Sequence, residues 1–389
     1  MKKRNIAKVL ALALCCTMAF GLVAGCGGGG TTSQGGAGAN SSANSGGSGS
    51  TGGTPAAAKD TLVFGSNAAA SGVFHPTLQY SNNDREVVFL VYDRLVTKNA
   101  AGEYVPSLCE KYEVNADSTT YTFYLKQGIK WQDGEDFTAE DVAYTYETTC
   151  HADFGKGYDE FSATLLGADA YHEGSADHVE GIQVIDEYTV SFTFKAPYMD
   201  AMVKFIDKPV LAKHVWETVE VGAWGDATEL LKNPVGTGPY KVIEFVPDQY
   251  VRLEANPNYF KGEPKIKYFI FKVSNKDTRQ AEVIKGDIDL TEVTSWRPDG
   301  IQAYQENNIP MGEQPDTNAR YLVFDTTDSR LSDVRVRQAI IYSLDRQAMV
   351  DGLCAGHGSL SNALMQPTQP AYPKDGLNLY EYNPEKAKE

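Results

Sequence analysis

From residue 59 onward, short apolar runs alternate with turn residues, and the period of each run sets the element it predicts. Thr61-Leu62-Val63-Phe64-Gly65 is an apolar run closed by glycine and predicts a first strand. Across 84–95, Val87, Val88, Val91 and Leu95 recur at helical spacing, with Asn83 or Asp84 as cap. Residues 121–126 alternate between two faces, and Gly128 and Asp133-Gly134 mark the turns beyond them. Thr138 with Asp141 three residues on is a variant capping box, after which Val142, Ala143 and Tyr146 share one helix face. Residues 181–184 and 188–194 predict a hairpin turned at Asp186-Glu187. A second hairpin is predicted from 240–245 and 250–255, turned at Pro247-Asp248. In its second strand Val251, Leu253 and Ala255 alternate with Arg252 and Glu254.

Residues 267–273, 277–285 and 288–293 read as strand, helix and strand, a β-α-β unit with a right-handed crossover whose helix Gly286 stops. A strand follows at 320–325. Ser332 then caps a helix that buries Val336, Ala339, Ile340 and Leu344, and Asp345 caps the next. Asn383-Pro384 opens a last helix, inside which the sequence stops at Glu389.

Ahead of this body lies a different kind of chain. Lys2-Lys3-Arg4 precedes an apolar run over 9–23, too short to span a bilayer, which ends in Val23-Ala24-Gly25-Cys26. That pattern is a signal peptide over 1–25, and its ending resembles a bacterial lipobox in which Cys26 is lipidated and becomes the new N-terminus. Residues 27–58 are mostly Gly, Ser, Ala and Thr with almost no large apolar side chain, a composition that predicts a flexible tether. As a random coil it spans roughly 30 Å.

The 35 basic and 51 acidic residues give a formal charge of −16, and losing Lys2, Lys3, Arg4 and Lys8 with the leader takes it to −20. An acidic surface of this kind disfavours nucleic acid and anionic lipid as partners. Of the cysteines beyond the lipobox, Cys109, Cys150 and Cys354 have no metal or redox spacing. Either Cys109 and Cys150 pair or, as the favoured reading, both are small buried thiols. No Gly-x-Ser-x-Gly, P-loop or His-Glu-x-x-His occurs, so the reading is non-enzymatic, with no cofactor and no metal. His172 and His178 flank a polar loop and read as surface residues.

Three blocks carry more information than their periodicity. The first is Asn233-Pro234-Val235-Gly236-Thr237-Gly238-Pro239-Tyr240, whose glycines permit positive φ, continuing to Asn256-Pro257-Asn258-Tyr259-Phe260-Lys261-Gly262. The second runs from Leu125-Lys126-Gln127-Gly128-Ile129-Lys130-Trp131-Gln132-Asp133-Gly134 to Thr138-Ala139-Glu140-Asp141-Val142. The third is Arg335-Val336-Arg337-Gln338-Ala339. Together they resemble the family 5 extracellular solute-binding proteins, receptors of peptide, nickel and some sugar ABC importers. Two positions depart from that family: His75 stands before Pro76 where an aspartate is usual, and Asp325 where asparagine is common.

The resemblance implies an α/β, periplasmic-binding-protein-like type II fold, two-lobed with an extra third domain, mixed sheets and the C-terminal part missing. Domain I would comprise 59–83 and 196–290, domain II 84–195, and domain III the residues from 291. Apolar helix faces between Ser332 and Leu353 would then lack part of their partners, and the carboxylate that pairs with a peptide's amino terminus would lie beyond Glu389. The implied function is capture of a small solute, with a peptide favoured over a nickel complex or an oligosaccharide. Delivery would be to ABC permease subunits from a lipid-anchored, extracytoplasmic monomer; a peptide sensor or surface chaperone of the same fold is the alternative. Mapped from the peptide-binding relatives, the ligand contacts are Gln79, Tyr80, Ser81, Asn82 and Asn83 in one loop and Phe154 and Tyr158 in another. Trp296 and Arg297 would face the cleft from the third domain.

Overall fold

A computed structural model describes residues 59–79, 81–99, 102–293, 298–313, 320–365, 367 and 372–389. The leader, Cys26 and the tether therefore lie outside the described residues, as do Tyr80, Trp296 and Arg297. The chain opens with β1 (Thr61–Ser66), α1 (Asn82–Val91), a ribbon of β2 (Val96–Lys98) and β3 (Tyr104–Pro106), then β4 (Cys109–Val114) and β5 (Thr120–Leu125). After α2 (Ala139–Thr148), α3 (Glu160–Thr164) and α4 (Ala168–His172) come β6 (Ile182–Asp186) and β7 (Thr189–Thr193). Helices α5 (Ala201–Asp207), α6 (Lys213–Trp216) and α7 (Thr228–Lys232), with a 3-10 turn over Val221–Asp226, lead to β8 (Tyr240–Val246) and β9 (Tyr250–Ala255). Then come β10 (Tyr268–Val273), α8 (Arg279–Lys285), β11 (Leu290–Thr291) and α9 (Pro298–Glu306). Three further helices follow: α10 (Val334–Ser343), α11 (Arg346–Leu353) and α12 (Pro384–Lys388).

A five-stranded sheet has the order β11-β1-β10-β9-β8. In it β1 is parallel to both neighbours, pairing Thr61 with Tyr268 and Phe64 with Leu290, while β9 is antiparallel to β10 and β8. The strands joined through α8 thus lie on either side of β1. A four-stranded sheet, β4-β5-β7-β6, is antiparallel throughout and drawn wholly from Cys109–Thr193. In β5 the alternation is realised: Tyr121, Phe123 and Leu125 are buried and their neighbours half-buried. The hairpin of β6 and β7 turns one residue later than expected, at Glu187-Tyr188, because Asp186 pairs with Thr189.

The core of this sheet is aromatic. Phe205 of α5 lies against Phe123, Phe192, Tyr146, Phe161 and Tyr121, with ring centroids 4.7–6.0 Å apart. A smaller cluster gathers Leu78, Phe154, Leu211, Trp216, Trp224 and Leu231. The thiols of Cys109, Cys150 and Cys354 are all free; burial pushes those of Cys109 and Cys150 up to about 11, so neither is a nucleophile near neutrality.

The glycines of the first block work differently from the expectation. Neither Gly236 nor Gly238 has positive φ. Instead the loop presses on the end of α1: a Cβ on Gly236 would sit 1.9 Å from the Val91 carbonyl oxygen, and one on Gly238 would sit 2.6 Å from the Leu90 oxygen. The Gly238 amide donates to that Val91 carbonyl at 2.8 Å. Gln132 of the second block closes the junction, its amide donating to the Gly236 carbonyl and its side chain to the Tyr240 carbonyl, at 2.9 and 2.8 Å. The shared motifs therefore meet as a structural joint between α1, the Asp133-Gly134 turn and β8.

Three further expectations are corrected. Helix α1 begins earlier than read, capped by Ser81, whose hydroxyl accepts from the Asp84 amide at 3.0 Å; Asn83 and Asp84 lie inside it. Residues 320–325 form no strand: Tyr321, Leu322 and Val323 are exposed, Val323 to 81%, and without a paired strand an apolar run has no ladder to join. Helix α10 is capped by Asp333 rather than Ser332, and none of its residues is buried. It packs against α12, which has only five residues and is too short to cover the apolar face.

Candidate functional site

In an open sheet with parallel strands, ligands collect beyond the carboxyl ends of those strands. Here that edge is marked by Ser66 of β1, Val273 of β10 and Thr291 of β11. The loop leaving β1 runs along it to α1, and its shape is set by one buried carboxylate. Asp84 accepts from the amides of Ser71 at 2.8 Å and Gly72 at 3.1 Å, from the Ser71 hydroxyl at 2.8 Å, and from the Ser81 hydroxyl. Four donors on a buried anion make a stiff tie between the two ends of the loop.

The residues assigned to ligand contact lie in different surroundings. Ser81 and Asn83 lie at the edge and are already engaged: Ser81 caps α1, and Asn83 accepts from the Ser66 hydroxyl at 2.9 Å and donates to the Ala69 carbonyl at 3.3 Å. Asn82 is exposed at the first turn of α1. Gln79 meets the second loop, since Lys156 donates to its carbonyl at 3.0 Å, and its own side-chain oxygen is buried without a donor. The structure thus brings the loop of Gln79–Asn83 and the turn of Phe154–Tyr158 together through Lys156.

Phe154 and Tyr158 do not point the same way as Lys156. Phe154 is only 7% exposed and packs on Trp224. Tyr158 stacks on His172 with centroids 4.3 Å apart and donates to Asp169 at 2.7 Å. Burial and the anionic Asp169 raise its phenol above the ordinary tyrosine range.

His75, in the position of the family's aspartate, is fully buried between Trp216 and Trp224. Its Nδ1 accepts from the Thr77 amide at 3.2 Å and its Nε2 has no partner. Burial lowers its pKa to about 3, so it is neutral and serves as packing. Glu86 of α1 is held protonated to higher pH than usual, first by burial and then by Glu292 beyond β11.

Sequence reasoning placed Lys156 within the second loop and Asp84 as a helix cap, but missed the loop contacts of Asp84 and the buried Arg279. An acid in the first helical turn looks like ordinary dipole compensation, so Asp84 carried no signal of its loop contacts. Arg279, by contrast, puts a cation in the first turn of α8, where the dipole disfavours it, and that mismatch was a usable clue.

A cavity of about 10 Å³ bordered by Ser66, Asn83 and Phe271 has room for about one water. A larger one of about 280 Å³ lies elsewhere, between α11 and the segment holding Leu379 and Tyr382. Among the described residues no cluster of histidine, cysteine and acidic side chains could hold a metal, and no helix is long and apolar enough to cross a membrane.

A mixed sheet with three parallel strands and loops at their carboxyl edge, beside a second, antiparallel sheet, matches the α/β fold that the sequence blocks lead one to expect. The chain belongs to the bacterial extracellular solute-binding proteins, family 5, whose model matches residues 103–389. It is 29% identical over 343 residues to the dipeptide-binding protein of Escherichia coli (strain K12), covering 84% of this chain and 62% of that one. It also resembles the solved structure of the oligopeptide-binding protein AppA from Bacillus subtilis in complex with a nonapeptide. There the TM-score is 0.65 at 26% identity, with 84% of this chain and 62% of that one covered. The structure of NikA from Brucella suis in complex with Fe(III)-EDTA shares the fold, with a TM-score of 0.70 at 24% identity, covering 84% and 62%. The chain thus spans a little over three-fifths of the length of these relatives.

Proposed function

We propose that the chain captures a small solute, with a short peptide as the solute, outside the cytoplasm and delivers it to the permease of an ABC importer. The observation that carries this reading is the meeting of the β1–α1 loop with Lys156 at the carboxyl edge of the parallel strands, in a chain similar to dipeptide- and oligopeptide-binding proteins. Domain I is formed by 59–83 and 196–290 and domain II by 84–195, an assignment supported by the membership of the two large sheets. Domain III runs from 291. Closure of the lobes buries the backbone of the solute and satisfies its hydrogen bonds, which gives affinity with loose side-chain selectivity. The residues assigned to contact, Gln79–Asn83, Phe154, Tyr158, Trp296 and Arg297, remain the first ones to substitute.

Isothermal titration of the chain with L-alanyl-L-alanine tests the reading directly: saturable one-to-one binding is expected. No heat with that dipeptide or with a tri- and pentapeptide would remove peptide capture. Anchoring is a separate part of the proposal. Lipid on Cys26 brings two acyl chains, enough for stable attachment where one is marginal. Cys26→Ser is expected to release the protein or leave its leader uncleaved; membrane retention with normal leader removal speaks against the anchor.

A further inference from the structure

Arg279 is the first residue of α8 and only 3% exposed, and among the described residues no carboxylate pairs with its guanidinium. Its Nη1 donates to the side-chain oxygen of Asn67, its Nη2 donates to the Ser274 carbonyl at 2.7 Å, and its Nε is buried with no acceptor. Both acceptors are neutral. The acid nearest along the helix, Glu282, is engaged elsewhere, by Lys272 and Thr278 at 2.8 Å each. Buried arginines are as a rule paired with an anion, because desolvating the charge is costly unless an opposite charge offsets it. Here the described residues supply the cation and most of the desolvation but no paired counter-charge.

The location gives that missing charge a source. Asn67 follows β1 directly and Ser274 follows β10, so the guanidinium lies beneath the carboxyl edge of two parallel strands. Asn67 itself is exposed, and its amide oxygen is the group that covers Nη1. We propose that Arg279 is an anion subsite of the solute cleft, gated by Asn67. A carboxylate on the captured solute displaces the Asn67 amide oxygen and supplies the negative charge. The inference rests on the capture of a solute at this edge and adds a chemical requirement: the preferred solute carries a free carboxylate.

The test uses the full chain, an Asn67→Asp variant and three probes: L-alanyl-L-alanine, its C-terminal amide and sodium acetate. Asn67→Asp places an internal carboxylate against the guanidinium without enlarging the side chain, so the fold is kept. The wild-type chain is expected to bind the free acid at least tenfold more tightly than the amide. Asn67→Asp is expected to melt higher and to bind acid and amide within twofold of each other. Arg279→Lys, which keeps the charge, is expected to retain part of the preference. Equal binding of acid and amide by the wild type, or a tenfold preference surviving in Asn67→Asp, overturns the subsite while leaving solute capture standing. If neither dipeptide binds, acetate decides at constant ionic strength. A saturable rise in melting temperature in the wild type and none in Asn67→Asp supports the subsite without peptide capture, and no rise in either overturns it.

Discussion

Phe205 in α5 and Val336 in α10 are both apolar residues on short helices, and their surroundings could hardly differ more. Phe205 is enclosed by five aromatic rings, whereas Val336 is 40% exposed on a helix without one buried residue. The same contrast separates residues 59–291, where two sheets and their helices enclose a continuous core, from residues 320–389, where helices carry good caps and little burial. A cap is satisfied locally: Asp333 accepts from the Arg335 amide at 2.8 Å, and Asp345 from the Ala348 amide at 2.9 Å, whatever lies on the far side. Burial needs a second surface. Helix formation and helix packing are therefore separate contributions, and only the first region has both.

Truncating a side chain in each region separates them most sharply. Phe205→Ala is expected to lower stability by about 3–5 kcal/mol, while Val336→Ala stays within about 0.5 kcal/mol. Urea unfolding of both variants measures the difference, and similar losses would mean that α10 is packed after all.

Glycine substitutions should differ even in sign. Gly236→Ala forces a Cβ against the Val91 carbonyl and is expected to cost about 3 kcal/mol. Gly352→Ala in α11 meets nothing within 4 Å and is expected to stabilise by about 0.5 kcal/mol. The two melting temperatures moving in opposite directions is the expected result.

Acid sharpens the comparison through His75. Its folded value is about 3 against 6.5 for the free side chain, so between those values the unfolded chain binds a proton the folded chain refuses. Stability is therefore full above pH 6.5 and falls as the pH drops, by about 2 kcal/mol at pH 5. Denaturation curves from pH 8 to pH 5 check this, with His75→Leu expected to lack that component of the slope.

Much of the first region could be read from local chemistry. The Thr138–Asp141 box is present, with the Thr138 amide donating to Asp141 at 2.9 Å, and Gly286 ends α8 with φ of 84°. The hairpin of β8 and β9 turns where Pro247-Asp248 predicted, Asp248 taking φ of 61°. These signals succeed because they depend on neighbours a few residues away. The misreadings are of another kind. Residues 320–325 have strand composition, but a strand exists only where a partner strand lies beside it. The cap of α1 went to Ser81 because Ser81, Asn82, Asn83 and Asp84 are all competent caps and tertiary ties of Asp84 to Ser71 and Gly72 chose among them. The site was legible only as two loops. Lys156 reaching Gln79, and Arg279 beneath Asn67, are contacts separated by 77 and 212 residues, beyond any local pattern.

Hydrogen exchange of the chain with and without L-alanyl-L-alanine tests the central claim most directly. Capture at the carboxyl edge of the first sheet predicts new protection in 66–79, 81–84, 153–158 and 274–279, with 334–353 unchanged. Protection confined to 334–382, around the cavity beside α11, or binding that leaves 66–84 exchanging as before, would contradict it.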